Sequence, residues 1–85
     1  MMNILALALF HVIVYSPTCV VDKVYDVDEI GFTTDNHLIL VNNGKKVEVD
    51  VKDEGAVEVT VGQVHFAATI DSSGFHFVDA VCTKI

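Results

Sequence analysis

Four histidines are the side chains in this sequence best suited to proton transfer or metal binding near neutral pH. They are His11, His37, His65 and His76. None has the four-residue spacing of a helical metal site, and no expected strand pairing brings two of them together. We therefore expect ordinary surface or half-buried histidines, with no catalytic residue, no metal site and no cofactor. One local pair is expected, a cross-strand hydrogen bond between His37 and Asp50.

The nucleophilic side chains also lack the sequence motifs that surround a catalytic nucleophile. Cys19 and Cys82 are candidate thiols, and Ser72 and Ser73 lie in a predicted turn. No nucleophile elbow, no cysteine–histidine motif and no glycine-rich phosphate loop surrounds them. A chain of 85 residues also has little room for an enclosed pocket. The sequence therefore predicts a protein that is not an enzyme.

The two cysteines lie near opposite ends of the sequence. If the ends meet in one sheet, Cys19 and Cys82 could form a disulfide that stabilises the fold by roughly 4 kcal/mol. Two cysteines do not make a disulfide framework, and unpaired cysteine behaves as a small hydrophobic residue. Buried free thiols are the interpretation that the sequence favours.

The segment from Asp26 to Gly31 alternates acids as the start of a calcium-binding loop does. Its fifth position is Ile30 where an oxygen ligand is needed, and its twelfth is His37 instead of a bidentate glutamate. We expect a solvated acidic loop that holds, at most, a weakly bound divalent ion.

The charge balance restricts the partners. Twelve acids against five lysines, with no arginine, give a net charge of −7. Because phosphates are bound mainly by lysine and arginine, direct binding to nucleic acid or to an anionic membrane is disfavoured. Ten of the acids fall between Asp22 and Glu58, so the middle of the chain supplies an acidic surface that suits a basic protein partner.

Residues 4–15 are almost wholly apolar, interrupted only by His11. Their length fits the core of a signal peptide, but no basic residue precedes them and no small-residue cleavage site follows. They are too short to cross a membrane as a helix. We predict a strand covered on both faces in the middle of a sheet, with a buried helix as the alternative.

The clearest structural pattern is a hairpin with Asn43-Gly44 at its tip, because both residues accept the positive φ of a type I′ turn. The facing pairs are then Leu38 with Val49, Leu40 with Val47, and His37 with Asp50. A second hairpin turns at Gly62-Gln63 in a type II′ turn. Its facing pairs are Val61 with Val64, Val59 with Phe66, Val57 with Ala68, and Thr60 with His65.

Two parts of the chain are less defined by their pattern. Asp71-Ser72-Ser73-Gly74 predicts a third turn, whose register stays open between a four-residue loop and a glycine bulge. Between Pro17 and His37 we predict a short strand near Cys19–Tyr25, followed by an acidic connection through Gly31 to Asn36.

These elements predict one all-β domain over residues 1–85, a small antiparallel meander of about six strands. An open sheet would leave an apolar face in water. The sequence therefore favours a curled sheet, a barrel or a sandwich, or a homodimer that covers the surplus apolar face.

The predicted function is protein binding without chemistry, through an acidic surface that meets a basic partner. Small, strongly acidic domains of this kind are typical of phage- or plasmid-encoded inhibitors of host nucleases and defence complexes, in the host cytoplasm. Alternatives are a structural or assembly β protein, and a secreted domain that begins near Ser16 after signal removal. The predicted partner-binding residues are Asp26, Asp28, Glu29, Asp35, Glu48, Asp50, Asp53, Glu54 and Glu58.

Overall fold

The computed structural model describes residues 9–82, which form eight strands in two antiparallel sheets and contain no helix. The strands are β1 (Phe10–Tyr15), β2 (Val21–Val27), β3 (Glu29–Phe32), β4 (His37–Asn42), β5 (Lys45–Asp50), β6 (Ala56–Val61), β7 (Val64–Asp71) and β8 (Gly74–Val78). The all-β prediction is confirmed, with eight strands in place of about six. Within this part of the chain, a helix long and apolar enough to span a membrane is absent.

The large sheet has the strand order β2-β1-β6-β7-β8, so β1 lies between two partners. Val12 and Val14 of β1 are buried, whereas His11, Ile13 and Tyr15 point to the opposite face. The predicted central strand is therefore confirmed for residues 10–15, and the helical alternative is wrong there. Coverage on both faces is also wrong, because the outer face of β1 is partly exposed at His11, Ile13 and Tyr15. Residues 4–8 of the predicted segment lie outside the described residues.

The small sheet has the strand order β3-β4-β5. In the sequence, its three strands come between β2 and β6 of the large sheet. A simple meander is therefore wrong, because the chain leaves the large sheet after β2 and returns to it at β6. The predicted acidic connection through Gly31 to Asn36 is also wrong over residues 29–32, which form β3. Ile30 and Phe32 of this strand face Leu40 and Leu38, so burial of alternate apolar residues favours a strand over a solvated loop.

One hydrophobic core lies between the two sheets, which is the sandwich among the predicted arrangements and not a closed barrel. The large sheet contributes valines at alternate positions of β1 and β6, and the small sheet contributes Leu38 and Leu40. Each such side chain stabilises the fold by about 1.5–3 kcal/mol when fully buried. The buried members of the core are Val12, Val14, Val27, Leu38, Leu40, Val49, Val51, Val57, Val59 and Ile70.

The two predicted hairpin registers are confirmed residue by residue. Asn43 and Gly44 have φ values of 54° and 80°, the pair of positive values that a type I′ turn requires. Gly62 has a φ of 59°, as the first residue of a type II′ turn does. These local turns set which side chains share a face.

The third turn is a two-residue loop of Ser72 and Ser73 with Asp71 facing Gly74, so the four-residue loop and the glycine bulge are both wrong. The Asp71 carboxylate accepts hydrogen bonds from the backbone N–H and the hydroxyl of Ser73, at 2.8 and 2.7 Å. This local bonding lets a tight turn form without an Asn-Gly pair.

Cys19 and Cys82 are joined by a disulfide, so the expectation of free thiols is wrong and the disulfide alternative applies. The bond ties the loop between β1 and β2 to the segment after β8. Val81 in that segment is buried on the outer face of the large sheet, in a second cluster with Ala56 and Ala67. The two cysteines meet because this segment folds back over the sheet, and their spacing in the sequence alone does not reveal such a contact.

Candidate functional site

The nine predicted partner-binding acids are distributed over both sheets and the loops. Seven are exposed, whereas Asp28 and Glu58 are half-buried. Four of the exposed acids belong to the small sheet or to its β3–β4 turn, and we call these four the acidic face: Glu29, Asp35, Glu48 and Asp50.

The strand register explains why acids collect on the outer side of the small sheet. Val47 and Val49 of β5 alternate with Glu48 and Asp50. Because successive side chains point to opposite faces, the side of β5 that buries Val49 against the large sheet is opposite to the side that carries both carboxylates, which therefore face solvent. On the outer side, Glu48 faces Ile39 and Asp50 faces His37.

His37 lies at the centre of this group of carboxylates. Its Nδ1 atom is 3.2 Å from Asp35 Oδ1 and 3.5 Å from Glu48 Oε2, and its Nε2 atom is 3.3 Å from Asp50 Oδ1. The predicted pairing with Asp50 is confirmed in register, although at this distance it is an ion-pair contact and not the expected hydrogen bond.

These contacts change the pKa of His37 and of Asp35. The contact with Asp35 is the largest influence on His37 and raises its pKa above 6.5, and the charges of Glu48 and Asp50 add to this effect. The pKa of Asp35 is lowered, first by the hydrogen bond from the Thr33 hydroxyl and then by His37. Asp35 therefore stays ionised, and His37 binds a proton more readily than a free imidazole does.

Glu58 is separated from the acidic face because it lies on the outer side of the large sheet. Its Oε1 accepts a hydrogen bond from the Tyr15 hydroxyl at 2.7 Å, and its Oε2 lies 2.8 Å from Nε2 of His65. The bond from Tyr15, followed by that with His65, lowers the pKa of Glu58, and the same bond raises the pKa of Tyr15. Glu58 thus serves the structure of the large sheet, a role that the sequence did not indicate.

The remaining predicted acids have local partners or stand alone in loops. Asp26 contacts His11 at 2.7 Å on the outer side of the large sheet. Asp28 accepts a hydrogen bond from the backbone N–H of Asn43 at 2.8 Å and so supports the type I′ turn. Asp53 and Glu54 are exposed in the loop between β5 and β6.

Asp71, Ser73 and His76 form a cluster of the residue types found in serine hydrolases. However, the Ser73 hydroxyl and the Asp71 carboxylate both lie 2.9 Å from the same nitrogen, Nε2 of His76. A catalytic histidine contacts the serine through one nitrogen and the carboxylate through the other. The hydrogen bonds from Ser73, and then the contact with His76, lower the pKa of Asp71 to about 2, which stabilises the turn.

The segment resembling a calcium loop is not a loop. Asp26 lies in β2, Asp28 lies in the one-residue bend between the strands, and Glu29 begins β3. Among residues 9–82, no group of three or more histidine, cysteine or carboxylate side chains has the arrangement to hold a metal ion.

Comparisons of the chain with protein-family models, with curated proteins and with solved structures each gave no match. Functional inference therefore depends on the chemistry of the surface itself.

Proposed function

We propose that this protein is a non-enzymatic binding domain whose acidic face docks on a basic surface of a partner protein. The observation that supports this proposal is the group of three carboxylates around His37, with Glu48 and Asp50 on β5 of the β4–β5 hairpin and Asp35 in the β3–β4 turn. Their side chains are 74%, 57% and 83% exposed, so they reach solvent while their backbone is fixed.

Fixed carboxylates suit electrostatic recognition. Complementary charge speeds the encounter between proteins and sets their orientation, and a rigid backbone reduces the entropy lost on binding. A protein that binds nucleic acid carries a basic surface of the required kind. An inhibitor of a host nuclease or defence complex, encoded by a phage or plasmid, is the functional class that we infer.

The test is capture of the partner from the native host at about 50 mM salt, followed by affinity measurements up to about 500 mM, where surface charges are strongly screened. We expect the affinity of the captured protein to fall by about tenfold or more over this range. The triple variant Asp35→Asn, Glu48→Gln, Asp50→Asn is expected to lose affinity by a similar factor.

A matched control separates the acidic face from net charge. The variant Asp53→Asn, Glu54→Gln, Asp79→Asn removes the same number of charges from exposed positions outside the acidic face, and it should keep most of the affinity. An affinity that neither salt nor the first triple variant changes would contradict the proposal.

Exposed apolar residues support the second candidate, a structural or assembly protein. Phe77 and Val78 of the edge strand β8 are 59% and 40% exposed, and Val64 of β7 is 59% exposed. Exposed apolar surface often marks an interface. Light scattering on the purified protein distinguishes the two candidates. A stable trimer or larger assembly favours the structural or assembly protein, whereas a monomer or dimer favours the binding domain.

The disulfide supports a third candidate, a domain that works in an oxidising compartment, since disulfides persist mainly outside the cytosol. A mature chain that begins near Ser16 does not fit this fold, because it would lack β1, the strand between β2 and β6. A secreted form must therefore retain Phe10–Tyr15, which mass spectrometry of the native protein can check.

A further inference from the structure

A groove runs between β2, at one edge of the large sheet, and β5, at one edge of the small sheet. Two adjoining cavities of about 230 and 320 Å³ lie along it, and both are lined by Tyr25 and Val47. Among residues 9–82, no strand pairs with the outer edge of β2 or of β5. We call this feature the β2–β5 groove.

The opposite side of the sandwich is closed by aromatic packing. Phe32 of β3 contacts Phe75 and Phe77 of β8 edge to face, with ring centroids 4.9 and 5.3 Å apart. The two sheets thus meet at that side and leave the β2–β5 groove as an approach to the core from solvent.

The groove has an apolar floor and a charged rim, which carries Asp26 and Lys45 at one end and is acidic at the other. Val47 is 50% exposed, and it adjoins the half-buried Tyr25 and the buried Val49. At the end of the groove towards Asp50, the rim carries Asp22, Glu48 and Asp50 against the single positive charge of Lys23. An unpaired strand edge beside exposed apolar surface is the arrangement that accepts an added strand.

We propose that the β2–β5 groove binds an extended segment of a basic partner by adding a strand to the edge of β5. The segment would alternate apolar and cationic side chains, because neighbouring positions of a strand face opposite sides. Its apolar side chains cover Val47 and Val49 on the inner side. Its lysines or arginines lie beside Glu48 and Asp50 on the outer side. This inference rests on the proposed function and specifies the form of the partner.

The test uses the peptide acetyl-Val-Arg-Val-Arg-Val-amide, titrated into the ¹⁵N-labelled full chain and followed by NMR. We expect saturable shifts at the amides of β5 and at Tyr25, with slower hydrogen exchange along β5. The same peptide with glutamate in place of arginine should bind about tenfold or more weakly, because it meets the rim with like charge.

Two variants locate the binding site. Val47→Arg should abolish the shifts, because it places a bulky cation in the groove. Val64→Arg changes a valine of similar exposure on β7, and it should leave them intact. Far-ultraviolet circular dichroism checks that both variants retain the fold.

Several outcomes would overturn this inference: no shift at all, shifts centred on β8, or equal binding of the glutamate peptide. Concentration-dependent shifts of β5 without peptide would instead assign the groove to a second copy of the chain. The groove inference and the proposed function of the acidic face can be tested separately. If Val47→Arg binds the captured partner as the wild type does, the groove inference is wrong while the acidic face retains its proposed role.

Discussion

Each of the four histidines lies within ion-pair distance of a carboxylate. The pairs are His11 with Asp26, His65 with Glu58, His76 with Asp71, and His37 with Asp35, Glu48 and Asp50. His37 differs from the others because its side chain is the least exposed and has three carboxylates as neighbours.

The pKa of His37 should depend on Asp35 more than on Asp50. We expect an NMR titration of the wild type to give a midpoint above 6.5, lowered by Asp35→Asn and lowered less by Asp50→Asn. Glu29→Gln, on the same acidic face but outside ion-pair distance of His37, is the control. A larger effect of Asp50→Asn, or no effect of either variant, would contradict the described geometry.

The raised pKa also has a consequence for stability. Because folding raises the pKa of His37, its ion pairs stabilise the folded state fully below pH 6.5, and this contribution is lost as the pH rises through the folded-state pKa. Protonation at lower pH adds a positive charge within the acidic face, so the proposed binding to a basic partner should weaken there.

At the scale of strands and loops, Gly55 determines how closely β1 approaches the loop before β6. A Cβ atom at this position would lie 2.7 Å from the carbonyl oxygen of Tyr15 and 2.9 Å from that of Lys52. The backbone of Gly55 is itself bonded, since its N–H donates to Lys52 and its carbonyl accepts from Ile70. The close approach therefore involves backbone on both sides, which cannot move aside as a flexible side chain can.

Gly55→Ala should destabilise the protein by about 1–3 kcal/mol, as overpacking in a well-packed core does. The free energy of unfolding is measured by urea denaturation, and its slope against urea concentration (the m-value) should not change. Gly31→Ala is the matched control, because its added Cβ meets only Ile39 at 3.9 Å, and its free energy of unfolding should change by less than about 0.5 kcal/mol. Equal unfolding midpoints for the two variants would show that the backbone relaxes around residue 55.

At the scale of the molecule, one covalent bond joins the β1–β2 loop to the segment after β8. The Cys19–Cys82 disulfide spans 63 positions in the sequence, so it greatly restricts the unfolded chain. For a loop of this length the entropic stabilisation is about 4 kcal/mol. The total stability of a domain of this size is about 4–13 kcal/mol, so the bond provides a large part of it.

Reduction should therefore lower the urea midpoint strongly and loosen the segment that carries Val81. The double variant Cys19→Ser, Cys82→Ser should match the reduced wild type, and adding reductant to the variant should change nothing. Peptide mass mapping without reductant confirms the bond in the starting material. An unchanged midpoint on complete reduction would show that packing alone holds the segment after β8 against the large sheet.

Local patterns in the sequence were sufficient to predict the fold class and the register of two hairpins. Asn43-Gly44 and Gly62-Gln63 set two hairpin registers, because a tight turn dictates the facing residues on either side of it. The same alternation separated Glu48 and Asp50 from the valines between them, so the position of His37 opposite Asp50 followed from sequence alone.

Contacts between segments that are far apart in the sequence could be assigned only from the tertiary structure. Four features depend on how segments that are far apart in the sequence pack together. They are the pairing of β1 with β6, the formation of β3 in an acidic stretch, the disulfide, and the bonds of Glu58 with Tyr15 and His65. A turn restricts its neighbours directly. The pairing of remote strands depends on which apolar surfaces can be buried together, and that depends on the whole chain at once.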